Sequence, residues 1–115
     1  MMMIISFAKT KQEIIDEIKW STRRKWADDY AMKFRVGAIV QAYDKSPRNG
    51  GKRLKYIRIV RKYKQWLHEM TENDLKREGG RWKTVEEFMK EFNGDCNVWV
   101  IDFSYDLQFK RIEVM

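Results

Sequence analysis

One cysteine, one proline and one histidine in 115 residues exclude several kinds of protein at once. A lone Cys96 cannot build an internal disulfide framework, and it fits a reducing, cytoplasmic setting. His68 and Cys96 have no partner ligands at metal spacing, and neither a glycine-rich phosphate loop nor a Gly-x-Ser-x-Gly elbow occurs. No metal or other cofactor is therefore expected. No apolar run approaches the roughly 20 residues that cross a bilayer. The opening stretch Met1 to Phe7 is too short for a secretory h-region and lacks a basic n-region. Composition shifts, repeats and low-complexity tracts are also missing, so residues 1–115 read as a single domain.

What is present is a core and a charge asymmetry. Hydrophobic residues make up 43% of the chain and aromatics 14%, enough for one modest core and far from the composition of a disordered segment. The formal net charge is +7, but it is unevenly spread. Lys45 to Lys64 holds nine basic residues and no acidic one, while the rest of the chain has fifteen basic against seventeen acidic. A concentrated basic segment attracts polyanions, nucleic acid above all, by neutralising phosphates and releasing counterions.

Periodicity and capping signals give the order of elements. Met3 to Ala8 reads as a short strand, and Thr10-Lys11-Gln12-Glu13 as a capping box opening a helix over 11–18. Trp26, Tyr30 and Phe34 recur at helical spacing, and Ala38 to Tyr43 reads as a strand. Ser46-Pro47-Arg48-Asn49-Gly50-Gly51 is a turn, followed by a strand over Leu54–Tyr63 with Ile57 and Ile59 inward and basic residues outward. Thr71 with Asp74, and Thr84 with Glu87, cap two more helices, which end at Gly79-Gly80 and Gly94. Trp99, Ile101, Phe103, Tyr105, Leu107 and Phe109 alternate with polar residues in the clearest strand, with Trp99, Phe103 and Trp26 expected in the core. This is an α+β chain, with enough strands in a short length to suggest a small curled sheet or barrel with helices over its ends.

Two motifs carry most of the chemistry. Lys19-Trp20-Ser21-Thr22-Arg23-Arg24 packs an amine, two hydroxyls and two guanidiniums into six residues, on what reads as the loop leaving the first helix. Arg77-Glu78-Gly79-Gly80 places a carboxylate beside helix-terminating glycines. Brought together, these groups suit acyl transfer or the recognition of a nucleotide. A Thr hydroxyl needs a base to become a nucleophile, and a Lys with a lowered pKa can serve.

Lys-x-x-Thr-x-Arg, a basic hairpin, Arg-Glu-Gly, the Glu87-Phe88 helix and Val98-Trp99-Val100-Ile101-Asp102-Phe103 follow one another in the layout of the ASCH domains, and nearly the whole chain resembles that family. The resemblance implies a small PUA-like β-barrel with short helices covering its ends. It also implies an RNA-facing cleft lined by the Lys19–Arg24 loop and the basic strands. One branch consists of amidohydrolases that remove the acetyl group from N-acetylcytidine, and their catalytic roles fall by position on Lys19, Thr22 and Glu78. Other members are linked to ribonuclease activity or to plain RNA binding. The expected partner is thus RNA or a modified nucleoside, contacted by Arg23, Arg24, Arg48, Lys52, Arg53, Lys55 and Arg58, with Trp20 and Trp82 available to stack on a base. The chain departs from the amidohydrolase-like members just before and after the Lys. Glu17-Ile18 stands where they usually have a glycine, and Trp20 where they have a Thr.

Overall fold

The computed structural model describes residues 2–107. Its elements are β1 (Ile4–Ser6), α1 (Lys11–Ile15), β2 (Ser21–Arg24), α2 (Asp28–Ala31), β3 (Ile39–Tyr43), β4 (Arg53–Trp66), α3 (Glu72–Arg77), α4 (Val85–Met89) and β5 (Asn97–Ser104), with short 3-10 turns between some of them. The architecture is α+β. One five-stranded mixed sheet has the order β1-β3-β4-β5-β2, with β1 parallel to β3 and the other neighbours antiparallel.

The register explains which side chains are buried. Ile57 pairs with Val40 and Ile59 with Phe103, and this face forms a core with Ile5, Phe7, Ile14, Phe34, Ala42 and Ile101. Val98 lies on the other face, where α3 and α4 bring Leu75 and Phe88 against Leu67, Met70 and Trp82. The long β4 gives Ile57 and Ile59 to the first core and leads directly into Leu67 of the second; its register slips between Ile59 and Arg61, and a bulge of this kind bends a strand.

Edge strands β1 and β2 are not paired with each other among the described residues. They are nevertheless linked: Arg24 of β2 donates from Nη2 to the Ser6 carbonyl of β1 at 2.7 Å. Phe7 and Phe103 pack with ring centroids 5.8 Å apart.

Several expectations change. The Lys19–Arg24 motif does not sit on a loop throughout, because Ser21–Arg24 forms β2 and pairs with Trp99–Asp102 of β5. Thr10 makes no side-chain cap; its ψ of 28° is far from extended cap geometry, and its side chain is buried instead. The first helix stops at Ile15 rather than 18 because Glu17 takes a left-handed φ of 57°. Trp99 is half-buried rather than core: its Nε1 donates to Asp28 and two lysines lie over its ring. Trp26 packs at the core's margin, stacked on Phe34 at 4.3 Å. The last strand ends at Ser104, and Phe109 lies outside the described residues. No described helix is long and apolar enough to cross a membrane.

The capping boxes at the other two helices compare as follows. At α3, Thr71 accepts from the Asp74 amide and Asp74 accepts from the Thr71 amide, as the sequence predicts. At α4, Thr84 accepts from the Glu87 amide, but Glu87 receives the Lys83 amide instead of closing the box.

Candidate functional site

The site forms where two helices end against each other. Helix α1 closes with the Ile18 amide on the Glu13 carbonyl and the Glu17 amide on Ile14, the paired bonds of a Schellman cap. Helix α3 closes the same way, with Gly80 on Leu75 and Gly79 on Lys76. The glycine requirement differs between the two. Gly79 has φ +114°, and a Cβ there would meet the Glu13 side chain at 3.0 Å. In α1 the left-handed position is filled by Glu17, in a conformation that disfavours a Cβ. The left-handed turn ahead of Lys19 is therefore made without a glycine.

The two caps deliver Lys19 and Glu78 face to face. Lys19 Nζ donates to Glu78 Oε1 at 2.5 Å and to the Glu78 carbonyl at 3.0 Å, so the ammonium also satisfies a helix C-terminus. The backbones are tied as well, by the Trp20 amide on the Arg77 carbonyl at 2.7 Å and by Tyr105 Oη on the Lys19 carbonyl at 2.5 Å. Both side chains are almost fully buried, at 3% and 2% exposure. Lys19 is thus no solvated loop residue.

Glu78 has a second cation on its other oxygen. Arg23 Nη1 donates to Oε2 at 2.8 Å, while Arg23 Nε donates to Gln65 at 3.0 Å. Arg23 Nη2 lies 3.4 Å from Asp74 Oδ1, near enough for Coulomb attraction but outside hydrogen-bond geometry. A carboxylate held by both an ammonium and a guanidinium is fixed in orientation.

Thr22 and Arg24 alternate with Arg23 along β2 and face the other way. Arg24 Nε donates to Thr22 Oγ1 at 3.0 Å, and its Nη2 reaches Ser6. The Thr22 hydroxyl therefore has one lone pair engaged and its own proton free. Its hydrogen bond goes to Arg24 and not to Lys19.

These groups line one cleft of about 430 Å³, together with the polar Ser6, Thr10 and Lys25 and the aromatic Phe7, Trp82, Phe88 and Phe92. The volume lies within the range of small-molecule sites, as does the mixture of aromatic wall and convergent polar groups. Lys19 Nζ lies 5.9 Å from the Trp82 ring centroid. Burial lowers the Lys19 pKa below its ordinary 10.5; the Glu78 contact opposes this, and Arg24 and Arg23 reinforce it. Burial lowers the Arg24 value as well, with Glu78 opposing.

The remaining predicted residues lie elsewhere. Trp20 does not line the cleft; it is 41% exposed and packs edge-on against Tyr105. Arg48, Lys52, Arg53, Lys55 and Arg58 are also outside the cleft lining, so the basic strands do not wall it as expected. Arg58 is spent on the Gly37 and Leu107 carbonyls, Lys55 pairs with Glu17, and Arg53 stacks over Tyr56 at 4.4 Å. Of this set only Lys55 is ion-paired among the described residues, and Arg48 and Lys52, with neighbouring Lys45, are exposed. Sequence reasoning missed Phe7 and Lys25 as cleft residues. Their signal was adjacency alone: each flanks a short edge strand.

Among the described residues, no group of three or more His, Cys, Asp or Glu is placed to hold a metal ion. Comparison of the chain with protein-family models, with curated proteins and with solved structures returns no match.

Proposed function

We propose that this chain is an ASCH-type, PUA-like domain whose cleft binds one nucleobase, as a modified nucleoside or as part of RNA. The observation that carries the reading is the convergence of Lys19, Thr22, Arg24 and Glu78 on one aromatic-walled cleft. The motif order of the sequence supports the family assignment. The Arg24 bridge between β1 and β2 supports a PUA-like curl that a full barrel would close with backbone pairs. A flat base fits against Trp82, Phe88 and Phe92, while the buried amine and carboxylate read its polar edge. The test is binding of N-acetylcytidine and of single-stranded and structured RNA across a salt series. No measurable affinity for any of them at low salt would sink the reading.

A second, catalytic reading is favoured by the lowered pKa of Lys19 and its contact with Glu78. In it the chain is an amidohydrolase acting on acylated cytidine. The Thr22 hydroxyl attacks the acyl carbonyl, and neutral Lys19 takes the hydroxyl proton. Lys19 passes a proton across its contact to Glu78, which donates it to the leaving exocyclic amine. Arg24 holds Thr22 Oγ1 and steadies charge beside it. Water then hydrolyses the acyl-threonine ester. Turnover of N-acetylcytidine by wild type, abolished in Lys19→Ala and Glu78→Gln, is the expected result. Mutants as active as wild type dispose of the assignment, and the same variants tested on RNA decide the ribonuclease version.

A further inference from the structure

The charge balance inside the cleft points to the class of ligand. Five cations line it, Lys9, Lys19, Arg23, Arg24 and Lys25, against two carboxylates, Glu78 and Glu91. Lys9 is ion-paired with Glu91, while Lys19 and Arg23 share Glu78. Arg24 has only neutral acceptors, the Thr22 hydroxyl and the Ser6 carbonyl. Lys25, the next residue, is exposed and makes no ion pair among the described residues. Two adjacent positive charges on the cleft lining thus make no ion pair, although Glu78 lies near enough to act on the Arg24 charge and the Arg24 guanidinium stands 5.0 Å over the Phe7 ring.

A neutral nucleoside leaves these two charges unmet. Arg24 is half-buried, where water screens it less than at a free surface, so an anion beside it gains more than at an ordinary surface arginine. Its guanidinium is already oriented by Ser6 and Thr22, which lowers the entropy cost of a further contact. We infer that the ligand is a nucleotide rather than a free nucleoside, with its base on the Trp82–Phe88 wall and a phosphate group seated against Arg24 and Lys25. The inference rests on the nucleobase-binding reading above and adds the phosphate to it. A phosphate of this kind comes either from a monophosphate ester or from the phosphodiester of an RNA strand.

Titration calorimetry with N-acetylcytidine, its monophosphate ester and a short oligonucleotide carrying the same base separates the cases. The monophosphate or the oligonucleotide is expected to bind about tenfold or more tightly than the nucleoside at low salt, the size of one charge-assisted hydrogen bond. A gain seen with the monophosphate assigns a terminal phosphate; a gain confined to the oligonucleotide assigns a phosphodiester. The advantage shrinks as salt is raised, and Lys25→Glu brings the affinity ratio to near one. Lys25 is exposed, so this variant keeps the fold, and the salt series on wild type tests the same point without any substitution. Equal affinity for nucleoside and both phosphorylated ligands overturns the phosphate seat while leaving nucleobase binding intact. So does an affinity ratio that neither salt nor Lys25→Glu changes. Failure of all three ligands to bind overturns both.

Discussion

The behaviour of Lys19 and Glu78 follows from how their charges are shared. Glu78 neutralises two buried cations, whereas Lys19 is one of two partners of Glu78. Removing the carboxylate with Glu78→Gln strands both cations and is expected to cost about 3–5 kcal/mol in chemical denaturation. Lys19→Met leaves the Glu78–Arg23 pair in place and is expected to cost less. The pH dependence has a definite sign. Because the folded pKa of Lys19 lies below 10.5, the unfolded chain holds an extra proton between the two values. This group's contribution to stability therefore rises with pH through that window and is lost as pH falls through the folded pKa. The slope disappears in Lys19→Met, which denaturation at a series of alkaline pH values reads directly. In the catalytic reading the rate also rises with pH as Lys19 loses its proton. Glu17 offers a separate residue-scale test. Its φ of 57° is relieved by Glu17→Gly, which is expected to raise stability by about 1 kcal/mol, less the small share of its exposed pair with Lys55.

At the scale of elements, the site depends on two helix terminations rather than on the helices' length. Neither α1, with five residues, nor α3, with six, is long enough to be stable by itself. Their value lies in where the chain goes after the last turn. Gly79→Ala is expected to cost more than Gly80→Ala, because both positions have positive φ but only Gly79 presses on Glu13. Gly80→Ala should cost about 1 kcal/mol for the left-handed backbone alone, and Gly79→Ala more, with Glu78 displaced and ligand affinity reduced. Equal costs would show that the apposition of the two helix ends is slack. The three capping boxes read from the sequence form to different degrees. The reciprocal box of Thr71 and Asp74 forms because both partners lie within one turn and neither is drawn into the core, even though Asp74 also faces Arg23. Thr10 belongs to the same pattern by sequence but is drawn into the cleft wall, where tertiary packing overrides local capping.

For the whole molecule, the basic excess divides between structural and free charges. Lys55 and Lys64 are ion-paired, and Arg58 and Lys62 donate to backbone carbonyls, so much of the segment's charge holds the fold together. The hairpin tip with Lys45, Arg48 and Lys52 keeps its charge exposed. If RNA runs over that tip, Arg48→Glu with Lys52→Glu makes the slope of log affinity against log salt shallower, by about one for each phosphate the two residues neutralise. An unchanged slope means that the tip touches no phosphate, and that all RNA affinity comes from the cleft and its rim.

The sequence by itself determined the α+β class, the inward Ile57 and Ile59 of β4, and the Thr71 cap, because periodicity and local capping depend on near neighbours. It also marked Lys19, Thr22 and Glu78 as the residues to watch. Only the tertiary structure decided that Lys19 and Glu78 form a buried pair, that Arg23 joins them from the opposite face to Thr22, and that the basic hairpin stands apart from the cleft. Those outcomes hang on one edge strand, β2, whose pairing with β5 spans most of the chain. A long-range pairing of that kind leaves no local pattern to read: four residues carrying two guanidiniums look like a wet loop until the partner strand is in place.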